Sequence, residues 1–483
     1  MSSTVSATPI PAGTHTAARR RGGLDAVAML TIYVVLLIGI PSSSTIAGLG
    51  GLGRPSVLWG LLLLFWWLLS RLQSRAHDAP PVAQPVRYIF GAFVVIVLIS
   101  FAAAMLRGQP ADQISPATTA LLRLASWSGV LLVAMDGIRT FADAATLVRR
   151  LAIAGGALAG LGLAQFLTGQ SLLDWITLVP GLSTDGGDIA TRGAFTRASG
   201  TAVHPLEYGV VVVATLPLAI TTAVHKGFRA HPPKLPGAWW IPVVLILTAS
   251  LVTVSRSAII GLVVAVAASL PAIPVAYRWV IGGLGGIAAA AVFALVPGMF
   301  GTLVNLFAGV SDDPSTQSRT AALARVPEFI SSSPAIGQGF GTFLPRYYIF
   351  DNGWVLLTVE LGLLGIVCLA GTALMAIGTA LWAGQHSPFD DLRAMSRALA
   401  ASLLTIVVLF AFFDGLSFTM SAGLFFLSMG LTASVRTVAA ADRPTAFAIA
   451  AAVRPEITGH TSPAAEASAR RRQGTELAER RAT

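Results

Sequence analysis

The sequence predicts an all-α polytopic membrane protein with about twelve transmembrane helices, and three observations carry that expectation. Of its 483 residues, 54% are hydrophobic and only 11% charged, whereas soluble domains carry roughly 25% charged residues. Its mean hydropathy is +0.74. Apolar runs of about 20 residues, each able to cross about 30 Å of hydrocarbon as a helix, recur along nearly the whole chain.

The apolar windows lie at residues 24–40, 56–70, 88–106, 117–135, 150–168, 206–224, 238–255, 257–275, 279–297, 353–382, 396–413 and 418–435. They make residues 24–435 one membrane domain, with no separate soluble domain. Residues 1–23, rich in Ser, Thr, Ala and Pro and closing on Arg19, Arg20 and Arg21, lack the apolar core of a signal peptide and read as a disordered cytoplasmic tail. Residues 436–483 have the same character. The net charge of +10 comes from basic residues placed mainly between spans, which anchor a cytoplasmic face and argue against a nucleic-acid partner. With the N-terminus inside, Arg71, Arg75, Arg139, Arg149 and Arg150 and the stretches HKGFRAHPPK and DDLRAMSR fall in cytoplasmic connections, and the C-terminus returns to that side. The lone Cys368 lies within an apolar window, so disulfides play no part.

Two connections on the outer side are long, about residues 169–205 and 298–352, and long ordered loops tend to carry function. They also hold arginines on the side where the charge rule disfavours them: Arg192 and Arg197 in the first, Arg319, Arg325 and Arg346 in the second, with Arg256 between two adjacent spans. A guanidinium fork that pairs with phosphate oxygens gives such arginines a purpose.

Four stretches carry the chemistry. TRGAFTRASGTAVHPLEYG offers Arg192 and Arg197 as an anion grip before a Pro-led helix, the alternative being arginines solvated at the interface. In it His204 reads as a helix-entry residue, with no second His or Cys at metal-ligand spacing, and Glu207 as a helix cap or an arginine partner. Arg256, flanked by serines, points either to water or into the bundle. Residues 311–333 read as an outer amphipathic helix with Arg319 near its start, followed by a close-packed glycine turn, GQGFGTF, without the lysine of a phosphate-binding loop. In DNGWVLLTVELGLLG, Asp351 and Asn352 stand where a helix should be capped, and Glu360, about 13 Å along that helix, must face the bundle interior, pair or take a proton.

In this order the motifs resemble those of the O-antigen ligase and polysaccharide polymerase superfamily, bacterial membrane glycosyltransferases that use lipid-diphosphate sugar donors. RASGTAVHPLEYG, Ser255-Arg256, Ser318-Arg319, the turn from Pro334 to Phe343 and DNGWVLLTVELGLLG carry the resemblance, which spans about residues 24–435. It implies a GT-C-like helical fold in the bacterial cytoplasmic membrane and a polyprenyl-diphosphate-linked oligosaccharide donor. It further implies attack at C1 by an acceptor hydroxyl with inversion, without a required metal or other cofactor. Arg192, Arg197, Arg256 and Arg319 would grip the diphosphate, Asp351 would orient or deprotonate the acceptor, and His204, Glu207, Asn352 and Glu360 would support the site. Ligase-type members carry histidine where this chain has Asp351, a feature of the polymerase-like branch, so both reactions stay open. A multi-span transporter or flippase of lipid-linked glycan is the rival, set back by the absence of visible internal repeats; a scaffold subunit leaves the outer arginines unexplained.

Overall fold

The computed structural model describes residues 25–72, 82–184, 191–192, 195–229, 235–253, 255–296, 298, 301 and 314–453. The N-terminal lead and residues 454–483 of the tail lie outside the described residues. The chain is helical almost throughout: α1 (Ala26–Val34), α2 (Pro55–Leu72), α3 (Pro85–Leu106), α4 (Ala111–Gly137), α5 (Phe141–Thr168), α6 (Pro205–Val224), α7 (Ile241–Val252), α8 (Arg256–Ser269), α9 (Val275–Leu295), α10 (Pro314–Ile330), α11 (Gly353–Gln385), α12 (Asp390–Leu409) and α13 (Thr419–Val453). Among the described residues, nine helices are long and apolar enough to cross a membrane, and three apolar segments, Ala26–Gly39, Gly237–Val252 and Arg256–Ala272, are shorter. Every apolar window of the sequence thus falls on a helix. The last helix runs on to Val453, past the point at residue 435 where the apolar window ends.

Helix α6 is the hub. All of it but Leu206 is buried, and it packs against α5, α7, α8, α12 and α13. Small residues bring backbones together, as expected where lipid supplies no hydrophobic drive between helices. A Cβ at Gly129 of α4 would lie 2.4 Å from the Gly60 carbonyl oxygen of α2, and one at Gly430 of α13 would lie 2.5 Å from the Leu131 oxygen of α4.

The helix ends sort into two faces. At one, Asp136 at the end of α4 pairs with Arg71 at the end of α2 and Arg87 at the start of α3, while the Trp67 indole donates to it at 2.9 Å. His225 after α6 meets Asp391 of α12 at 2.7 Å on the same face. At the other face lie the short sheets, β1 (Ser44–Ile46) with β2 (Leu182–Thr184) and β3 (Thr191–Arg192) with β4 (Phe195–Thr196), together with α10.

Helix α11 is broken at Gly362, where φ is 65° and ψ is −169°. A break at this depth frees backbone groups that lipid cannot satisfy. Loop 334–341 satisfies them. Leu363 N donates to Pro334 O (2.9 Å) and Leu364 N to Ala335 O (3.1 Å), while Gln338 N and Gly339 N donate to the carbonyls of Val359 and Glu360 (both 2.9 Å). Ser100 of α3 donates to Ile336 O (2.6 Å) and Arg107 to Gly337 O (3.0 Å), fastening the loop to a third helix. The glycines of GQGFGTF serve this contact: a Cβ at Gly337, whose φ is +71°, would sit 2.4 Å from the Glu360 carbonyl.

Candidate functional site

The first half of α11 borders a cavity of about 540 Å³. Pro116, Ala120, Arg123 and Trp127 of α4 form one wall, and Gly353, Leu356, Leu357 and Glu360 of α11 another. His204 and Leu206 at the start of α6, the 340–351 loop and the α12–α13 connection from Phe413 to Phe418 complete it. The aromatic loop is itself braced. Phe350 and Phe343 stack edge-on against Phe329 of α10 (5.9 and 5.0 Å), and Arg325 lies over Tyr348 at 5.0 Å.

The residues at the start of α6 are held from three sides. Gln165 of α5 clamps the turn after Arg197, its Oε1 accepting from Gly200 N at 2.7 Å and its Nε2 donating to Gly200 O at 3.0 Å. His204 caps α6, its Nδ1 accepting from Leu206 N at 3.1 Å. Burial and the nearby Arg197 push its pKa below the usual imidazole value, with Asp351 pulling the other way. Both charges therefore lie near the same ring. Glu207 is fully buried and accepts from Met420 N (2.7 Å), Ser42 Oγ (3.0 Å) and Val203 N (3.0 Å). It therefore ties the loop after α1, the loop before α6 and the start of α13 together, rather than capping its own helix.

Asn352 caps α11, its Oδ1 accepting from Trp354 N (3.0 Å) and Val355 N (3.2 Å). That leaves the exposed Asp351 carboxylate at the cavity rim, outside the cap. Glu360 faces the cavity and accepts from the backbone of Gly341 and Phe343. Asp414 lines the same space and accepts from Ser417 and from Leu416 N. Burial raises its pKa above the usual carboxylate value, and the charge of Asp351 adds to this.

Three ionisable residues at or beside the cavity escape the sequence reading: Arg123, Arg54 and Asp414. Arg123 lines the cavity with its Nε buried and without a hydrogen-bond partner. Arg54, close enough to repel it, binds Thr419 Oγ1 and lies near Glu207. Arg123 sits inside an apolar window, and an ionisable residue there is a functional candidate by default; Asp414 lies in the short connection between two windows, where that rule gives no signal.

The predicted arginines divide. Arg197 joins the cavity region through His204. Arg256 opens α8, two residues before Ala258, which packs on Gly209 of α6, so it lies at the His204 end of the bundle without lining the cavity. Arg192 falls in the β3–β4 hairpin and Arg319 in α10, and both side chains lie outside the described residues. Arg325 and Arg346 have structural partners: Arg325 pairs with Glu328 and Arg346 with Asp112. Among the described residues, no three His, Cys, Asp or Glu side chains gather as a metal site.

Residues 241–370 match the family described as O-Antigen ligase, which bears out the resemblance to that superfamily over this segment. No curated protein matches the chain. Among solved structures it is similar to a chain from "Structural coordination of polymerization and crosslinking by a peptidoglycan synthase complex", at 18% identity and a TM-score of 0.38, over 75% of this chain and 99% of that one.

Proposed function

From a chain whose residues 241–370 belong to the O-antigen ligase superfamily, we propose a membrane glycosyltransferase that moves an oligosaccharide from a polyprenyl diphosphate to an acceptor hydroxyl. It works at the outer face of the bacterial cytoplasmic membrane in cell-surface polysaccharide assembly, with both termini cytoplasmic and all twelve apolar segments in the bilayer. The observation that carries this is one cavity that sets the Arg123 guanidinium against the carboxyl groups of Asp351, Asp414 and Glu360, with Arg197 near His204 on its wall.

The chemistry follows from that polarity. The acceptor oxygen attacks C1 of the donor sugar and gives its proton to Asp351, a base at the rim whose reach is unobstructed by capping. The C1–O bond to the diphosphate breaks with inversion, and the lipid diphosphate leaves with added negative charge. Fixed guanidinium groups already in place stabilise that charge without reorganisation. Arg197 and Arg123 supply them, joined by Arg192, Arg256 and Arg319 as the resemblance assigns. Asn352 and Glu360 hold the first half of α11, and Glu207 holds the loop before α6.

The test is purified protein in nanodiscs with a synthetic polyprenyl-diphosphate oligosaccharide and EDTA, read by mass spectrometry of the glycan and released lipid diphosphate. A ladder of repeats identifies a polymerase; transfer to one added acceptor identifies a ligase. Asp351→Asn, Arg197→Ala, Arg256→Ala and Arg319→Ala should each lower turnover by roughly 100-fold or more while the protein inserts and purifies normally. Intact donor with a folded wild type overturns the proposal.

A further inference from the structure

A second cavity, of about 430 Å³, lies away from this site, between α1 and α5. Its walls are Val34, Val35, Ile38 and Gly39 on one side and Ile153, Ala154, Ala157, Leu158 and Leu161 on the other. Val35 and Ile153 are more than half exposed, so the groove opens sideways to the bilayer. From Arg150 to Leu161 it follows α5 for roughly 16 Å, about the depth of one leaflet's hydrocarbon.

Polar groups at both ends of the groove hydrogen-bond to α1 and its continuation. Arg150, at the inner end, donates to Thr31 Oγ1 and to Val27 O, and Thr31 in turn donates to Val27 O at 2.5 Å. At the outer end Thr201 Oγ1 donates to Ile38 O at 2.5 Å. That carbonyl lies in a π-helical turn, Val35–Gly39, which continues α1 along the groove; such turns interrupt the regular helix ladder and recur at functional sites. Between Arg150 at the inner end and the Trp175 indole and Thr201 at the outer end, a ligand here finds hydrocarbon walls, so the length of the groove suits an apolar chain. Its outer lip, Thr201, follows Arg197 by four residues in the turn that Gln165 clamps.

We propose that this groove holds the prenyl chain of the lipid diphosphate, with the diphosphate at its outer end on the Arg197 side. The inference rests on the donor class proposed above and adds where the donor's lipid is held. A membrane phospholipid is the competing occupant; the place of the outer lip, Thr201, in the same turn as Arg197 favours the lipid diphosphate.

Two measurements test it. A prenyl diphosphate bearing a mid-chain diazirine is photolysed with the protein in nanodiscs, and cross-linked peptides are mapped. Labelling should fall on residues 31–39 and 153–161 and be displaced by unlabelled polyprenyl diphosphate. Labelling elsewhere, or labelling here displaced by phospholipid and not by polyprenyl diphosphate, overturns the inference, and this readout holds even if the protein transfers no glycan. In the second, Ala154→Trp and Ala157→Phe fill the groove. They should raise KM tenfold or more for a long-chain donor while leaving turnover of a geranyl-length donor within twofold. Unchanged KM for the long donor, or equal losses with both donors, also overturns the inference. Failure of the wild type with both donors counts instead against the glycosyltransferase reading.

Discussion

At the scale of single residues, His204 is where local structure and the charge of the site meet. It caps α6 through Nδ1, which must be unprotonated to accept from Leu206 N, and burial and Arg197 together hold its pKa below the ordinary value. Folding therefore favours the neutral ring. That contribution is fully present above the usual value of about 6.5 and is lost as the pH falls through the lowered pKa. Asparagine keeps a cap acceptor without titrating, and a cap is worth about 1 kcal/mol. In His204→Asn the melting temperature should fall less than in the wild type between neutral and mildly acidic pH. Parallel curves would remove the ring from this role. Glu207 makes a different demand, because its carboxylate, itself buried, meets three donors from separate segments, two of them buried. Leaving such donors unsatisfied costs about 1–3 kcal/mol each. Glu207→Ala should therefore give a poorly expressed or low-melting protein, and Glu207→Gln should recover much of the loss, measured by thermal unfolding in detergent.

At the scale of elements, the break in α11 organises the cavity, since it lets the 334–341 loop close one side of the bundle. Gly362 holds a backbone conformation that only glycine adopts readily, at a cost of about 1–3 kcal/mol to other residues, and a Cβ there would meet the Ala335 carbonyl at 2.4 Å. Gly362→Ala should lower the melting temperature and abolish transfer. Gly371→Ala in the same helix meets only Ile89 at 3.7 Å, so it should be neutral or stabilising by up to about 1 kcal/mol. If both variants melt alike, the break is not what holds the loop. These two glycines also show how far the sequence can be read. The order of the motifs gave the loop, the capped helix and the inward Glu360, because each depends on local residue chemistry. The break was not legible: hydropathy averages over a window, and a single φ/ψ reversal leaves an apolar run apolar. Arg123 was hidden by the same averaging, within a span counted as hydrophobic. Arg256 was legible as an ionisable residue between spans, but its distance from the cavity depends on how α8 packs on α6, which no local pattern encodes.

At the scale of the whole molecule, the alternation of helix ends fixes two faces, and the remaining question is which one meets the outside. The face with Arg71, Arg87, Asp136, His225 and Asp391 carries the connections that the charge rule assigns to the cytoplasm. The opposite face carries the β1–β2 sheet, α10 and the cavity mouth at Asp351. The twelve apolar windows were readable because each is long or bounded by turns, whereas the three shorter helices fall below the length that spans a bilayer unaided. Orientation can be measured directly, because Cys368 is the chain's only cysteine. In a Cys368→Ser background, Ser183→Cys places a thiol on the exposed edge of β2, and His386→Cys places one in the exposed α11–α12 connection. A membrane-impermeant maleimide added to intact spheroplasts should label the first and reach the second only after permeabilisation. The reverse pattern would put Asp351 and the cavity in the cytoplasm. A donor displayed on the outer leaflet could not reach them there, and the glycosyltransferase reading would lose its substrate even if every residue of the site were in place.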